Sequence, residues 1–231
     1  MQGLKLCCAF VAFWSALSMG QSVQAQLSAA EIAAGLTASP AEGGARRWQV
    51  QRSAGLTLKR VPGGGQEVGN MLSEAAVVQN FGCAETNGSL WCKVRPLHGG
   101  PQGFASSADL APIAGPDGVI ARGMNDSAKR AKRKRFDATA VIQCAQEAGE
   151  ALGPCPVGVS RSDGGDVTAA VTFKTGFTRL LFFMHGEFIS AAATMSGAGR
   201  DTDWQVVEDV HLIRADDQRF EIPNEVLFGQ P

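Results

Sequence analysis

The sequence has no tyrosine, only three histidines, and acidic and basic residues so evenly matched that the net charge is −1. Each scarcity removes a class of function. Without tyrosine, recognition of an extended proline helix by a tyrosine-rich groove is disfavoured. HExxH, G-x-S-x-G, a Walker phosphate loop and C-x-x-C are all missing. With them go the usual signatures of zinc hydrolysis, acyl transfer, nucleotide binding and dithiol chemistry. The 28 glycines follow no three-residue period and no heptad run occurs, which excludes collagen-like and coiled-coil chains. Long hydrophobic runs are scarce too. The N-terminal run Leu6 to Leu17 falls short of the roughly 18 residues a membrane helix needs.

What is present is a chain of 231 residues, 45% hydrophobic and 19% charged, which can bury enough apolar surface to fold as one large domain or two small ones. Its first 25 residues read as a secretory signal: Lys5 is the basic start, Leu6 to Leu17 the apolar core, and Val23 and Ala25 the small residues before a cut after Ala25. The mature protein is therefore expected in the periplasm or secreted, with no transmembrane segment. Removing Cys7 and Cys8 with the signal leaves Cys83, Cys92, Cys144 and Cys155. An even number in an exported chain reads as two disulfides, and pairing within each half of the chain is the simplest solution.

Residues 26–45 are small and polar, a flexible lead-in. From 46 to 113, short β-branched and apolar runs alternate with Gly, Pro and Asn, as in a small β barrel. Residues 114–135 combine turn formers with a charge run and read as a basic linker. The segment 136–231 carries further strand-like runs separated by turn pairs, giving a second antiparallel β-rich domain; 138–155 has room for a short helical turn. The expected fold is therefore mainly all-β.

The hairpin around the first two cysteines can be counted out. Asn87-Gly88 is the preferred pair for a two-residue type I′ turn, in which both central residues take positive φ. Strand partners then have numbers adding to 175: Thr86 with Ser89, Glu85 with Leu90, Ala84 with Trp91 and Cys83 with Cys92. The cysteines fall opposite one another at a non-hydrogen-bonded site, where Cα atoms are about 4.5 Å apart, within disulfide reach.

The first domain resembles the bacterial SH3 (SH3b) domain. Leu56, Leu58 and Arg60 match its first strand, Pro62 to Gly65 the following loop, and Val68, Gly69 and Leu72 the second strand. Val77 and Val78 match the third, Trp91, Lys93 and Val94 the fourth, and Gly103, Phe104, Ala105 and Leu110 the end. The sequence departs from the pattern in Thr57, in Phe104 for the usual Trp, in Asp109, and in the cysteine-bridged hairpin. The resemblance implies a non-enzymatic module that binds cell-wall peptide or an envelope protein. Trp91 and Phe104 are the groove candidates; a core position for Trp91 is the competing reading. The alternative role is an accessory or inhibitor of an envelope enzyme, with the C-terminal domain as contact surface.

No cofactor, metal or catalytic site is expected. His98 belongs to a loop, His185 to a turn, and His211, in an alternating strand beside Glu208 and Asp209, is expected to face solvent. Residues 46–113 hold 7 basic and 4 acidic residues, net +3, whereas 136–231 hold 6 basic and 14 acidic, net −8. Between them stand Lys129, Arg130, Lys132, Arg133, Lys134 and Arg135. In a cytosolic protein this run would point to nucleic acid; in an exported one the readings are a solvated linker resting on the protein's own acidic half, contact with an envelope anion, or a proteolytic processing site.

Overall fold

The structure, a computed structural model, describes residues 35–195 and 197–229, so the signal segment 1–25 lies outside the described residues. The chain forms two antiparallel sheets. The first, nearly barrel-shaped, has seven strands: β1 (Arg47–Val50), β2 (Leu56–Val61), β3 (Gly64–Leu72), β4 (Val77–Thr86), β5 (Ser89–Pro96), β6 (Gly103–Ser106) and β7 (Leu110–Pro112), in the order β3-β2-β6-β5-β4-β1-β7. A short helix, α1 (Ser127–Lys132), precedes the second sheet. That sheet comprises β8 (Ala138–Ala145), β9 (Gly153–Ser162), β10 (Asp166–Thr172), β11 (Thr178–Met184), β12 (Glu187–Ala191), β13 (Thr202–Val207), β14 (Val210–Ala215) and β15 (Gln218–Pro223), in the order β12-β11-β10-β9-β8-β15-β14-β13. Helix α2 (Asn224–Phe228) closes the described chain.

Period-two alternation accounts for the first core. Trp48 and Val50 of β1, Leu56 and Leu58 of β2, Cys92 and Val94 of β5, and Ala105 of β6 point inward with Val78 and Leu110. The residues between them turn outward. Gly103 sits where β6 crosses the core: a Cβ there would lie 2.6 Å from Leu58 Cβ and 2.7 Å from Val68 Cγ2, so only glycine permits the approach. The hairpin register is the counted one, with Cys83, Ala84, Glu85 and Thr86 opposite Cys92, Trp91, Leu90 and Ser89, and Asn87 and Gly88 both at positive φ. Cys83 and Cys92 are disulfide-bonded with Cα atoms 3.9 Å apart.

In the second sheet β8 to β12 form a meander, and β13 to β15 return to pair with β8. The sheet curls, so that β11 and β12 face β14 and β15 across one core containing Val157, Val171, Leu181, Phe183, Phe188, Ile213 and Phe220. Strand β10 is buried on both faces. Val167, Ala169 and Val171 enter the core, while Thr168 on the other face meets α1, its hydroxyl 2.9 Å from that of Ser127. Cys144 and Cys155 are bonded across β8 and β9 from diagonal positions, since Cys144 stands opposite Gly153 and Cys155 opposite Ile142; their Cα atoms are 5.9 Å apart.

Three local expectations are corrected. The helical turn expected in 138–155 is strand β8, because Ala140, Ile142 and Cys144 alternate with exposed Thr139, Val141 and Gln143 at a period of two. The part of the lead-in that is described, from Gly35 to Ala45, is packed rather than flexible: the buried Asn80 amide donates to Ala38 O at 2.8 Å and Ala45 O at 2.7 Å. The segment 114–135 is no free linker. It pairs Arg122 with Ala45 and then forms α1, whose Ser127 and Ala131, one turn apart, are buried. The cations that suggested a solvated spacer occupy the rest of that helix surface.

The two sheets meet at a buried charge cluster. Arg46 Nη1 donates to Asp166 Oδ2 at 3.0 Å and Arg47 Nη1 to Asp166 Oδ1 at 2.6 Å, with all three residues at most 9% exposed. Arg46 also donates to the carbonyls of Gly123, Arg122 and Met124, and Arg47 to that of Gly164. Beyond this cluster, His98 Nε2 and Glu187 Oε2 lie 2.6 Å apart, linking the loop after β5 to β12.

Candidate functional site

The outer face of β4, β5 and β6 gathers the first candidate site. Trp91 and Lys93 alternate with buried Cys92 and Val94 and so point away from the core. Trp91 stands opposite Ser106 and Lys93 opposite Phe104, which makes Trp91 and Phe104 diagonal neighbours on one face. Trp91 is therefore an outer-face residue, partly exposed, and not a core aromatic. Its directly opposite neighbours on the two adjoining strands, Ala84 and Ser106, are both small.

The strip continues beyond the two residues singled out in the sequence. A bulge in β4 between Asn80 and Cys83 brings Phe81 to the same face, where the Arg95 guanidinium lies 5.5 Å from its ring centroid. Lys59 pairs with Phe104 from the other side, and its ammonium contacts Glu67 at 2.8 Å. Lys93 has no carboxylate partner among the described residues. The face thus presents three aromatic rings with one unpaired ammonium among them. Phe81 was missed because the hairpin register counted from Asn87-Gly88, carried past Cys83 without the bulge, sets it opposite the inward-facing Val94. Gly82, at φ +100°, is the local sign of that bulge.

A cleft of about 990 Å³ opens in the second unit near the seam, lined by Asp117, Arg161, Glu208, Asp209, Asn224 and Phe228 among others. Two of its charges are already used by the fold. Asp117 accepts from the backbone of Gly164 at 2.7 Å and Val119 at 3.1 Å, and Arg161 donates to the carbonyls of Leu227 at 2.6 Å and Val226 at 2.9 Å. Glu208 and Asp209, also in the lining, form a turn with positive φ at both residues.

Beside this cleft His211 is buried, 2% exposed, which corrects its expected solvent-facing position. Its Nδ1 accepts from Trp204 Nε1 at 3.0 Å, which leaves Nε2–H to donate to Asn224 Oδ1 at 3.2 Å. The ring stacks on Trp204 and meets Phe183 edge-on. Both nitrogens are occupied in the neutral form, so the residue positions α2 and has no free atom for acid–base work.

Burial holds His211 below its ordinary value of 6.5 despite the Asn224 bond, and burial with the nearby Arg47 charge does the same to His185. A group whose folded pKa is lowered in this way resists protonation in the native state. Its contribution is complete above the unfolded value and is lost as pH falls below it. Stability is therefore expected to fall as the pH drops from about 7.5 to 5.5, on both sides of the ordinary histidine value. The lowered carboxyls of Glu42, Glu150 and Asp201 act at more acidic pH, because their ordinary values are 4.5, 4.5 and 3.8. Urea midpoints across this range check the expectation, and His211→Phe, although less stable at pH 7.5, should show a shallower loss.

The basic run is only partly brought to the acidic half. Arg130 forms an ion pair with Asp137 and donates to Arg161 O at 3.1 Å. Lys129, Lys132, Arg133, Lys134 and Arg135 are exposed and have no carboxylate partner among the described residues. Among those residues no helix is long and apolar enough to cross a membrane, and no group of three or more His, Cys, Asp or Glu is placed to hold a metal ion. Comparison with known proteins finds no matching family model, no matching curated protein and no matching solved structure.

Proposed function

We propose that this is an exported, non-enzymatic binding protein whose first unit, an SH3b-like module, binds cell-wall peptide on the outer face of β4 to β6. The observation that carries this reading is the placement of Phe81, Trp91 and Phe104 on one face around the unpaired ammonium of Lys93. Exposed aromatic rings supply flat apolar contact at low entropic cost, and an ammonium between them selects a ligand bearing carboxylates. A short peptide with free carboxyl groups has both features. The two disulfides agree with an oxidising, exported location.

Pull-down with purified peptidoglycan tests the reading. Aromatic contacts at binding hot spots are worth more than about 1 kcal/mol each, so Trp91→Ala with Phe104→Ala should weaken retention at least roughly tenfold. Both side chains lie outside the core, so the far-ultraviolet circular dichroism should not change. Lys93→Gln should reduce retention and flatten its dependence on salt. Failure of the wild-type protein to be retained removes the proposal.

A further inference from the structure

We propose that α1 and the turn after it form a docking surface for anionic phospholipid, independent of the aromatic strip. In α1 the buried residues Ser127 and Ala131 are four apart and define the face packed on β9 and β10. Lys129, between them, projects from the opposite side, and Lys132, just after Ala131, is turned about 120° from the buried face at the helical repeat of about 3.6 residues per turn. Arg133, Lys134 and Arg135 follow in a tight turn closed by backbone bonds from Lys134 N to Ala131 O and from Arg135 N to Arg130 O, both 2.9 Å, with Lys134 at φ +57°. Five cations are thus held on one protrusion, and none has a carboxylate partner among the described residues. Of the basic run, only Arg130 has a carboxylate partner from the acidic half among the described residues, Asp137, from the edge of the helix.

A second feature selects a lipid surface over a soluble polyanion. Met124, 69% exposed, stands two residues before the helix cap Asp126. Its loop is fixed in place, because the buried Arg46 guanidinium accepts no motion without losing its bonds to the Arg122, Gly123 and Met124 carbonyls at 3.1, 2.8 and 3.1 Å. An exposed apolar side chain in the loop that leads into the cation-bearing helix matches an interface that is negative at its surface and apolar a few ångströms below. A free polyanion would leave the methionine in water.

The test uses the protein lacking residues 1–25, mixed with vesicles of phosphatidylglycerol and phosphatidylcholine, or of phosphatidylcholine alone, at low and near-physiological salt. Sedimentation with the anionic vesicles only, weakened by salt, is expected. The variant Lys129→Gln, Lys132→Gln, Arg133→Gln, Lys134→Gln, Arg135→Gln keeps Arg130 and its structural bonds, and should lose binding more than tenfold with unchanged circular dichroism. Met124→Ser should weaken binding less and keep its dependence on salt. No sedimentation of the unsubstituted protein, or equal sedimentation of the fivefold variant, overturns the proposal. So does retention on an insoluble anionic wall polymer through these five residues without vesicle binding. Because Trp91 and Phe104 remain intact in the fivefold variant, its retention on peptidoglycan reports separately on the aromatic strip.

Discussion

Asp166→Asn is expected to cost about 3–5 kcal/mol, because it strands two buried guanidinium groups that share one carboxylate. In the native protein Asp166 accepts from Arg46 at 3.0 Å, from Arg47 at 2.6 Å and from the His185 backbone N–H at 3.3 Å. Asparagine preserves the shape and one acceptor, so the loss isolates charge from packing. Arg46 and Arg47 retain their carbonyl partners, but neutral acceptors do not balance two positive charges away from water. For a chain of this size a change of that magnitude lowers the melting temperature by about 6–20 °C. The exposed Lys59–Glu67 pair provides the contrast: Glu67→Gln should change stability by no more than about 1 kcal/mol. A loss of that small size for Asp166→Asn would mean that the two sheets are not docked through this cluster.

Phe183→Ala should produce a comparable loss, about 3–5 kcal/mol, for an apolar reason. The Phe183 side chain is 1% exposed and lies where β11 faces β14 across the curled sheet. Its ring packs edge-on against Phe188, His211 and Phe228, with centroids 5.6, 5.6 and 6.3 Å away. Truncation removes the apolar burial and leaves a void that those rings, held by β12, β14 and α2, cannot readily fill. Phe183→Leu should cost distinctly less, since most of the volume stays. Guanidinium unfolding of both variants measures the effect. A small loss for the alanine variant would show that the sheet does not close over this residue. Because His211 is one of the three ring partners, the alanine variant should also weaken the pH dependence attributed to that histidine.

The sequence by itself determined the features that need only near neighbours. Alternation at a period of two placed the strands, and Asn87-Gly88 set the register that puts Cys83 opposite Cys92. Trp91 and Phe104 were singled out through the resemblance to SH3b domains, which left a core position for Trp91 open; the inward placement of Cys92, Val94 and Ala105 in the folded sheet put both on the outer face. The tertiary structure alone decided which charged and polar residues are internal. Arg46 and Arg47 reach Asp166 across separations of 120 and 119 residues, and no local pattern distinguishes an arginine with a distant carboxylate from one in water. His211 looked solvent-facing beside Glu208 and Asp209 until β14 and β15 paired and α2 brought Asn224 to its ring. The basic run shows the same division. Its charge was plain in the sequence, but a small, weakly apolar face such as Ser127 and Ala131 acquires meaning only when β10 supplies a surface that must be covered on both sides.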